Sequence, residues 1–384
     1  MLRRFTSALT PRTLTTLAML ALVALLAGCG VPGTIHTTGT LPKVAATAPT
    51  QPPLPPVALP LDEAPHQDLT EWWYYTGHLQ GSDTQGHAHT YGFELTFFQT
   101  LRGALPPYYA AHFAISDLTA GQFHYDERSG FSSSAAPPPA GVLTGFNLAL
   151  GGWTMRGLNG HDALNANMNG YSIDLALVDQ LPHPILHNGN GLISYGPSGF
   201  SYYYSRPLMT VTGTLADHGA PVNVTGQAWM DHQWGNFISV SGSGWDWYSL
   251  QLANHTEYML YIIRDAQKRP VSTFGTAVAP DGSASEIPPQ QIESQATGSW
   301  TSSVTGGVYP SGWKVTLPSQ VTLTLAPLLQ DQELVTTRST GVAYWEGAVS
   351  VSGSAAGQPV AGEGYVELTG YANVPSSSPG GVTP

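Results

Sequence analysis

Apolar and polar positions alternate over much of the chain. Tyr171, Ile173, Leu175 and Leu177 fall on one face of an extended segment, and Ser172, Asp174 and Ala176 on the other. Phe93, Leu95 and Phe97 alternate in the same way with Gly92, Glu94 and Thr96. Residues 208–215, 222–231, 247–252, 258–264 and 344–351 repeat the pattern. Gly, Pro, Asn and Asp punctuate the gaps at hairpin spacing, and Asn254-His255 between two apolar runs predicts a tight turn. No long stretch carries a period of 3.6 residues. The pattern predicts an all-β chain folded as sandwiches or barrels.

Two stretches carry the same elements in the same order. Each has an aromatic opening strand, a meander and a closing strand with small residues. The first runs from Glu71-Trp72-Trp73-Tyr74-Tyr75 to Trp229-Met230-Asp231, the second from Trp245-Asp246-Trp247-Tyr248 to Gly364-Tyr365-Val366-Glu367-Leu368. This predicts two related β domains, 61–240 and 241–373, joined near residues 235–244. Gly347, Gly362, Gly364 and Gly370 flank β runs in the second, as bulges or close strand crossings require. Pro137-Pro138-Pro139 marks 132–141 as a loop, and the Ser/Pro/Gly tail at 374–384 predicts disorder.

The N-terminus changes the picture. Arg3, Arg4 and Arg12 precede an apolar run, Leu17 to Leu26, that is short for a bilayer span and ends in Leu26-Ala27-Gly28-Cys29. The pattern resembles a bacterial lipobox. It implies a signal peptide over 1–28, a lipid on Cys29, and an exported, membrane-anchored lipoprotein of the cell envelope. Residues 29–60, rich in Pro, Thr and Ala, are expected to act as a semi-extended tether. Cys29 is the chain's one cysteine, so no internal disulfide forms. The net charge of −12 argues against nucleic acid as a partner.

One segment concentrates candidate chemistry: Gly226-Gln227-Ala228-Trp229-Met230-Asp231-His232-Gln233-Trp234-Gly235. In a strand, Trp229 and Asp231 share a face. Apolar surroundings raise a carboxyl pKa until it can donate a proton, and an indole face stabilises a cation. Residue types alone favour an Asp that satisfies a hydrogen bond at a strand end beside a rim Trp. His87-x-His89 offers two imidazoles, but at a hairpin tip; no metal site is expected. Asp231-His232 with a serine would suggest a hydrolase, yet no nucleophile elbow is present. Arg206 is expected to pair with a buried carboxylate rather than touch substrate. Glu71 and Trp73 are read as closing one end of the first barrel, with Glu71 a possible neighbour of the cavity.

Glu71 to Leu79, Trp229 to Gly235, Tyr344-Trp345-Glu346-Gly347 and Gly364 to Tyr371 together resemble the AttH-like, carotenoid 1,2-hydratase-like family over about residues 60–372. The resemblance implies two lipocalin-like antiparallel β-barrel domains packed together around an apolar cavity, with no cofactor. It implies water addition across an alkene of a lipophilic isoprenoid, a hydro-lyase chemistry. Asp231 would be the acid and Trp229 the cation stabiliser, with Tyr202, Tyr203, Tyr204, Trp73 and His112 facing the ligand. The second domain is expected to supply a wall and no catalytic residue. Gln233 departs from the pattern, standing where many members carry an acid. A non-catalytic envelope carrier of a hydrophobic ligand uses the same barrel without the acid, and a secreted hydrolase is the third reading.

Overall fold

The computed structural model describes residues 54–103, 105–131, 145–195, 199–237 and 244–372. The leader, Cys29, the tether up to residue 53, the 132–141 loop and the tail lie outside the described residues. Both sheets belong to one compact unit that begins at Pro55.

The first sheet contains β1 (Thr70–Ser82), β2 (Ala88–Thr100), β3 (Tyr108–Asp117), β4 (Gln122–Gly130), β5 (Phe146–Leu150), β6 (Trp153–Leu158), β7 (His161–Asn167), β8 (Tyr171–Asp179), β9 (Ile185–Leu186), β10 (Leu192–Ser194), β11 (Gly199–Asp217) and β12 (Ala220–Phe237). Its order is β4-β3-β2-β1-β12-β11-β8-β7-β6-β5, and the ends β4 and β5 come back into contact. The second sheet contains β13 (Gly244–Leu252), β14 (Glu257–Arg264), β15 (Pro270–Val278), β16 (Ala284–Glu286) and β17 (Glu293–Ala296). A separate ribbon of β18 (Ser299–Thr301) and β19 (Val308–Pro310) follows. The sheet resumes with β20 (Trp313–Leu317), β21 (Val321–Pro327), β22 (Glu333–Val335), β23 (Ala343–Ala355) and β24 (Gln358–Thr369). Its order is β16-β15-β14-β13-β24-β23-β21-β20-β17. Each sheet curls into a nearly closed antiparallel barrel, the lipocalin-like all-β architecture. The described residues contain no α-helix, only short 3₁₀ turns.

The alternation explains the outer strands directly. In β8, Tyr171, Ile173, Leu175 and Leu177 are buried and their neighbours less so. In β2 the alternation of burial vanishes, and Tyr91 through Phe97 are buried without interruption. The residue types still alternate; the burial does not, because both faces are covered. Tyr91, Phe93, Leu95 and Phe97 fill the first barrel, while Gly92, Glu94 and Thr96 face the second sheet. At Gly92 an added Cβ would collide with the Tyr365 hydroxyl and lie 2.9 Å from Ala348 Cβ, so side chains of the second sheet pack directly on the β2 backbone here.

β1, β3 and β12 are covered on both faces in the same way. Tyr74, Tyr203 and Trp229 of the first sheet share a core with Trp247, Met259 and Tyr365 of the second. Polar ties cross the same boundary: Ser116 Oγ donates to Gln332 Oε1 at 2.6 Å, and Gln251 Nε2 donates to Pro207 O at 2.7 Å. The turn at Asn254-His255 closes the β13–β14 hairpin with His255 at φ +60°. Residues from Pro55 do not stand away from the fold as a tether would, because the Tyr202 hydroxyl donates to Pro55 O at 2.7 Å.

Candidate functional site

A cavity of about 730 Å³ lies where the two sheets face each other. β1, β2 and β3 give it Trp72, Tyr74, Glu94, Thr96 and His112, and β11 and β12 give it Tyr203, Asp231 and Gln233. The second sheet supplies Trp245, Trp247, Tyr261, Tyr344 and Glu367. The second barrel is therefore a full partner in the site rather than a plain wall.

Asp231 sits on β12 opposite Tyr74 of β1 and Ser205 of β11. Its side chain is 4% exposed as a residue and takes three donors. Trp229 Nε1 donates to Oδ1 at 2.6 Å, the Ser205 hydroxyl donates to the same oxygen, and the Tyr203 hydroxyl donates to Oδ2 at 2.7 Å. Trp247 Nε1 in turn donates to Tyr203 Oη at 2.9 Å, so an indole from the second barrel fixes that phenol. Burial outweighs the three donors and pushes the carboxyl up to about 7. Half of such carboxyls hold their proton at neutral pH.

Behind Asp231 the chain of contacts continues. Ser205 Oγ lies 2.7 Å from His187 Nε2, and His187 Nδ1 lies 2.8 Å from Thr276 Oγ1. Burial holds His187 down at about 3, so it is a neutral imidazole. His187 lines a second cavity of about 510 Å³, together with Met259, Phe274 and Thr276. This is not a hydrolytic triad. The serine stands between histidine and carboxylate, whereas the triad needs the histidine in the middle. Asp231 and His232 cannot pair either, since adjacent strand residues face opposite ways.

Three more carboxyls face the same region. Glu94 Oε1 accepts from Thr96 Oγ1 at 2.8 Å and from the Tyr344 hydroxyl at 3.0 Å. Glu346 Oε1 accepts from the Tyr74 hydroxyl at 2.7 Å, and Glu367 Oε2 accepts from Trp245 Nε1 at 2.9 Å. Burial pushes Glu94 up to about 7 and Glu367 to about 8. Glu346 lies well above the usual carboxylate range, through burial and then through Glu94 and Glu367 nearby. Among the described residues no cation pairs with this group, and burial favours its protonated forms. His112 lines the cavity, its Nδ1 2.7 Å from Tyr344 Oη, and burial holds it neutral at about 3.

Several expected ligand-facing residues lie elsewhere. Tyr202 and Tyr204 flank Tyr203, so the period of two turns them to the other face of β11. Tyr202 stacks on Trp234, and Tyr204 packs edge-on to His232 inside the first barrel. Trp73 is fully buried on that inner face, stacked on His232 with its Nε1 donating to Glu63 O at 3.3 Å. Trp229 is buried behind Asp231 rather than lining the cavity. Gln233 lines it, with Nε2 donating to Tyr195 Oη at 2.8 Å and to Ser201 Oγ at 2.7 Å. Arg206 pairs with Glu63 and with Asp179 at 2.6 Å.

Among the described residues, His66, Glu71 and His232 come close enough to share an ion, their ligand atoms within 4.8 Å. Glu71 is already occupied by protein donors. It accepts from His66 N at 2.8 Å and Gln99 Nε2 at 3.0 Å, and both imidazoles lie 2.8 Å from Oε1. Burial opposes the charged form of His66, but its bonds to Asp62 and Glu71 prevail and raise it to about 9, making a histidinium–carboxylate pair. That arrangement fits a structural ion pair better than a metal centre. His87 and His89 gather around Asp83 at the β1–β2 turn, with His87 Nδ1 3.0 Å from its carboxylate.

Two nearly closed barrels sharing an acid-lined cavity define a double-lipocalin-like protein. The chain belongs to the AttH-like family, whose model matches residues 49–371. It is similar to a solved Nitrosomonas europaea protein described as an AttH, at 29% identity and a TM-score of 0.73, covering 84% of this chain and 98% of that one. It also shares its fold with kievitone hydratase from Nectria haematococca, at 19% identity and a TM-score of 0.66, covering 82% and 93%. None of the curated proteins compared with the chain is similar to it.

Proposed function

We propose that the protein is a hydratase that adds water to an alkene of a lipophilic, isoprenoid-like molecule, with Asp231 as the acid. The observation that carries this reading is the setting of Asp231: a carboxyl buried against indole and phenol rings at the wall of a large cavity, where burial pushes it up to about 7. A carrier has no use for such a group, since a solvated Asp at the rim would serve it as well. Family membership and the shared fold with a hydratase support the same reading.

In the forward step, Asp231 transfers its proton from Oδ2 to one alkene carbon, and the other becomes a carbocation. The rings of Trp247, Tyr203 and Tyr74 around the carboxyl stabilise that charge. Water then bonds to the cation and gives up a proton, which returns to the Asp231 carboxylate. The carboxyl ends as it began and no cofactor is consumed. The Trp229, Ser205 and Tyr203 donors hold the carboxylate while it is ionised. The lipid expected on Cys29 would keep the cavity beside the membrane in which such substrates dissolve.

The test is to incubate the protein with acyclic carotenoids and shorter terpenoid alkenes, and to look for products heavier by one water. Asp231→Asn keeps the shape and removes the acid. Product formation is expected to fall by at least a hundredfold. An unchanged rate in the variant removes Asp231 from the chemistry, and its absence from both proteins while ligand binds returns the carrier reading.

A further inference from the structure

One end of the double barrel differs from the rest of its surface. Strands β1, β13 and β23 begin there, and β2, β12, β14 and β24 finish there, as their antiparallel registers require. The cavity opens at this end, because the exposed part of its lining comes from strand ends and turns: Arg102, Ala266, Lys268, Thr340, Gly341 and Val342. The six most exposed large apolar side chains among the described residues gather at the same end. They run from Val304 at 75% to Val342 at 49%, with Phe131, Leu105, Val271 and Val308 between. Leu105 lies between β2 and β3, Val271 opens β15 and Val342 precedes β23. Phe131 follows β4 and packs on Tyr108, whose hydroxyl donates to Ser339 O at 3.0 Å. Val304 and Val308 belong to the β18–β19 ribbon, which Tyr309 holds against Tyr371 beyond β24 at 5.5 Å between rings. Apolar groups exposed on this scale mark a contact surface.

Charge divides the two ends. The chain has a net charge of −12, and the hairpin tips of the far end, residues 83–87, 118–121, 218–219 and 253–256, contain no Lys or Arg. Asp83 and Asp217 lie there with His87, His89 and His218. At the open end Asp265 is paired with Arg269 at 2.7 Å, and Asp126 and Glu127 with Arg338 at 2.8 and 3.1 Å. Arg102 and Lys268, one from each barrel, are exposed and have no carboxylate partner among the described residues. Arg102 donates to Leu69 O and Leu101 O, and Lys268 donates to Gly370 O above the Tyr371 ring. The far acids stand about 40 Å away along β1, several Debye lengths, so they are screened from whatever meets these cations. The described chain also enters the fold here: Pro55 O accepts from the hydroxyl of Tyr202, which pairs with Trp234 near the end of β12. A lipid on Cys29 would thus hold the molecule by this end.

We propose that this end of the double barrel docks on an anionic lipid bilayer, with its apolar side chains in the interface and Arg102 and Lys268 against lipid phosphates, so that the cavity opens into the membrane. A second copy seated here would seal the opening. A bilayer leaves it in contact with the phase in which lipophilic ligands dissolve. The docking serves an enzyme and a carrier alike and rests on neither reading.

The orientation on a vesicle tests it without turnover. The full chain is reconstituted in phosphatidylcholine vesicles with and without a one-third share of phosphatidylglycerol, and part of the lipid carries a spin-label quencher on its acyl chain. An environment-sensitive dye is attached at Val304→Cys, or at Gln85→Cys on the far end, and the unsubstituted chain gives the background from Cys29. In the anionic vesicles the dye at 304 is expected to be quenched at least fivefold more than the dye at 85. Arg102→Glu combined with Lys268→Glu should remove most of that difference, and so should high salt. Equal quenching at both positions, no quenching at 304, or quenching indifferent to phosphatidylglycerol and to the charge reversal would each overturn the proposal. So would a dye at 304 already buried in vesicle-free solution, which marks a second copy as the occupant. The comparison of 304 with 85 decides even if the charge reversal does not fold.

Discussion

Asp231 owes its acidity to two opposed influences of its surroundings. Burial raises the carboxyl, and the donors Ser205, Tyr203 and Trp229 lower it. Hydration by the protonated form should therefore fall as pH rises through about 7. Tyr203→Phe removes one donor to the ionised form, so the falling limb should move upward by about half to one pH unit; a pH–rate profile checks the direction. Arg206 illustrates a different balance, since it neutralises two buried carboxylates, Glu63 and Asp179. Arg206→Met should cost about 3–5 kcal/mol in a denaturant titration, because both acids lose their one cation. At this scale the sequence was informative where chemistry and spacing coincide, as in Trp229-x-Asp231. It was silent on Ser205, brought to Asp231 by strand pairing, and on His187, which a 3₁₀ turn places against Ser205 across 18 residues of chain. Glu94, Glu346 and Glu367 did leave a trace: each is an acid in the middle of an apolar strand.

Among the elements, the strands that build the cavity are the ones whose burial pattern departs from alternation. Period two identified β2 and β12 as strands but gave no sign that a second sheet covers their other face, because that cover is a tertiary contact, made for β2 by residues about 250 positions away. The same blindness assigned all three tyrosines at 202–204 to the ligand, although a strand presents either the middle one or the outer two to one face, and here it is Tyr203. The contact at Gly92 measures how tightly the roof fits. Gly92→Ala should destabilise the protein by about 1–3 kcal/mol, since the methyl group meets the Tyr365 hydroxyl and Ala348. Tyr365→Phe removes the obstructing oxygen, so the double variant should recover part of the loss. Thermal melts of the four proteins read the coupling as a double-mutant cycle.

Across the whole molecule, buried acids shape the response to pH. Asp231, Glu94 and Glu367 have folded pKa values of about 7, 7 and 8, above the ordinary 3.8 and 4.5. Such groups add stability that is complete below the ordinary value and lost as pH climbs through the folded one. His112, His187 and His232, held at about 3 to 4, act in the opposite sense and lose stability as pH falls below 6.5. Stability should therefore decline as pH rises from about 6.5 to about 8.5, where the histidines no longer compensate, a window that calorimetry covers. Glu94→Gln with Glu367→Gln should flatten the alkaline decline and leave the acid side as it was.

The two-faced strands of the cavity carry a further consequence for how this protein can change over time. Along β1, β2 and β3 the odd-numbered side chains belong to the barrel interior and the even-numbered ones turn toward the second sheet and the cavity; along β12, and along β11 up to its register shift after Arg206, the assignment is reversed. Two texts are interleaved in alternate letters of the same strands. A substitution in one text leaves the other legible, so ligand preference can drift while the barrel stays intact. An insertion of a single residue exchanges the two readings at once and spoils both.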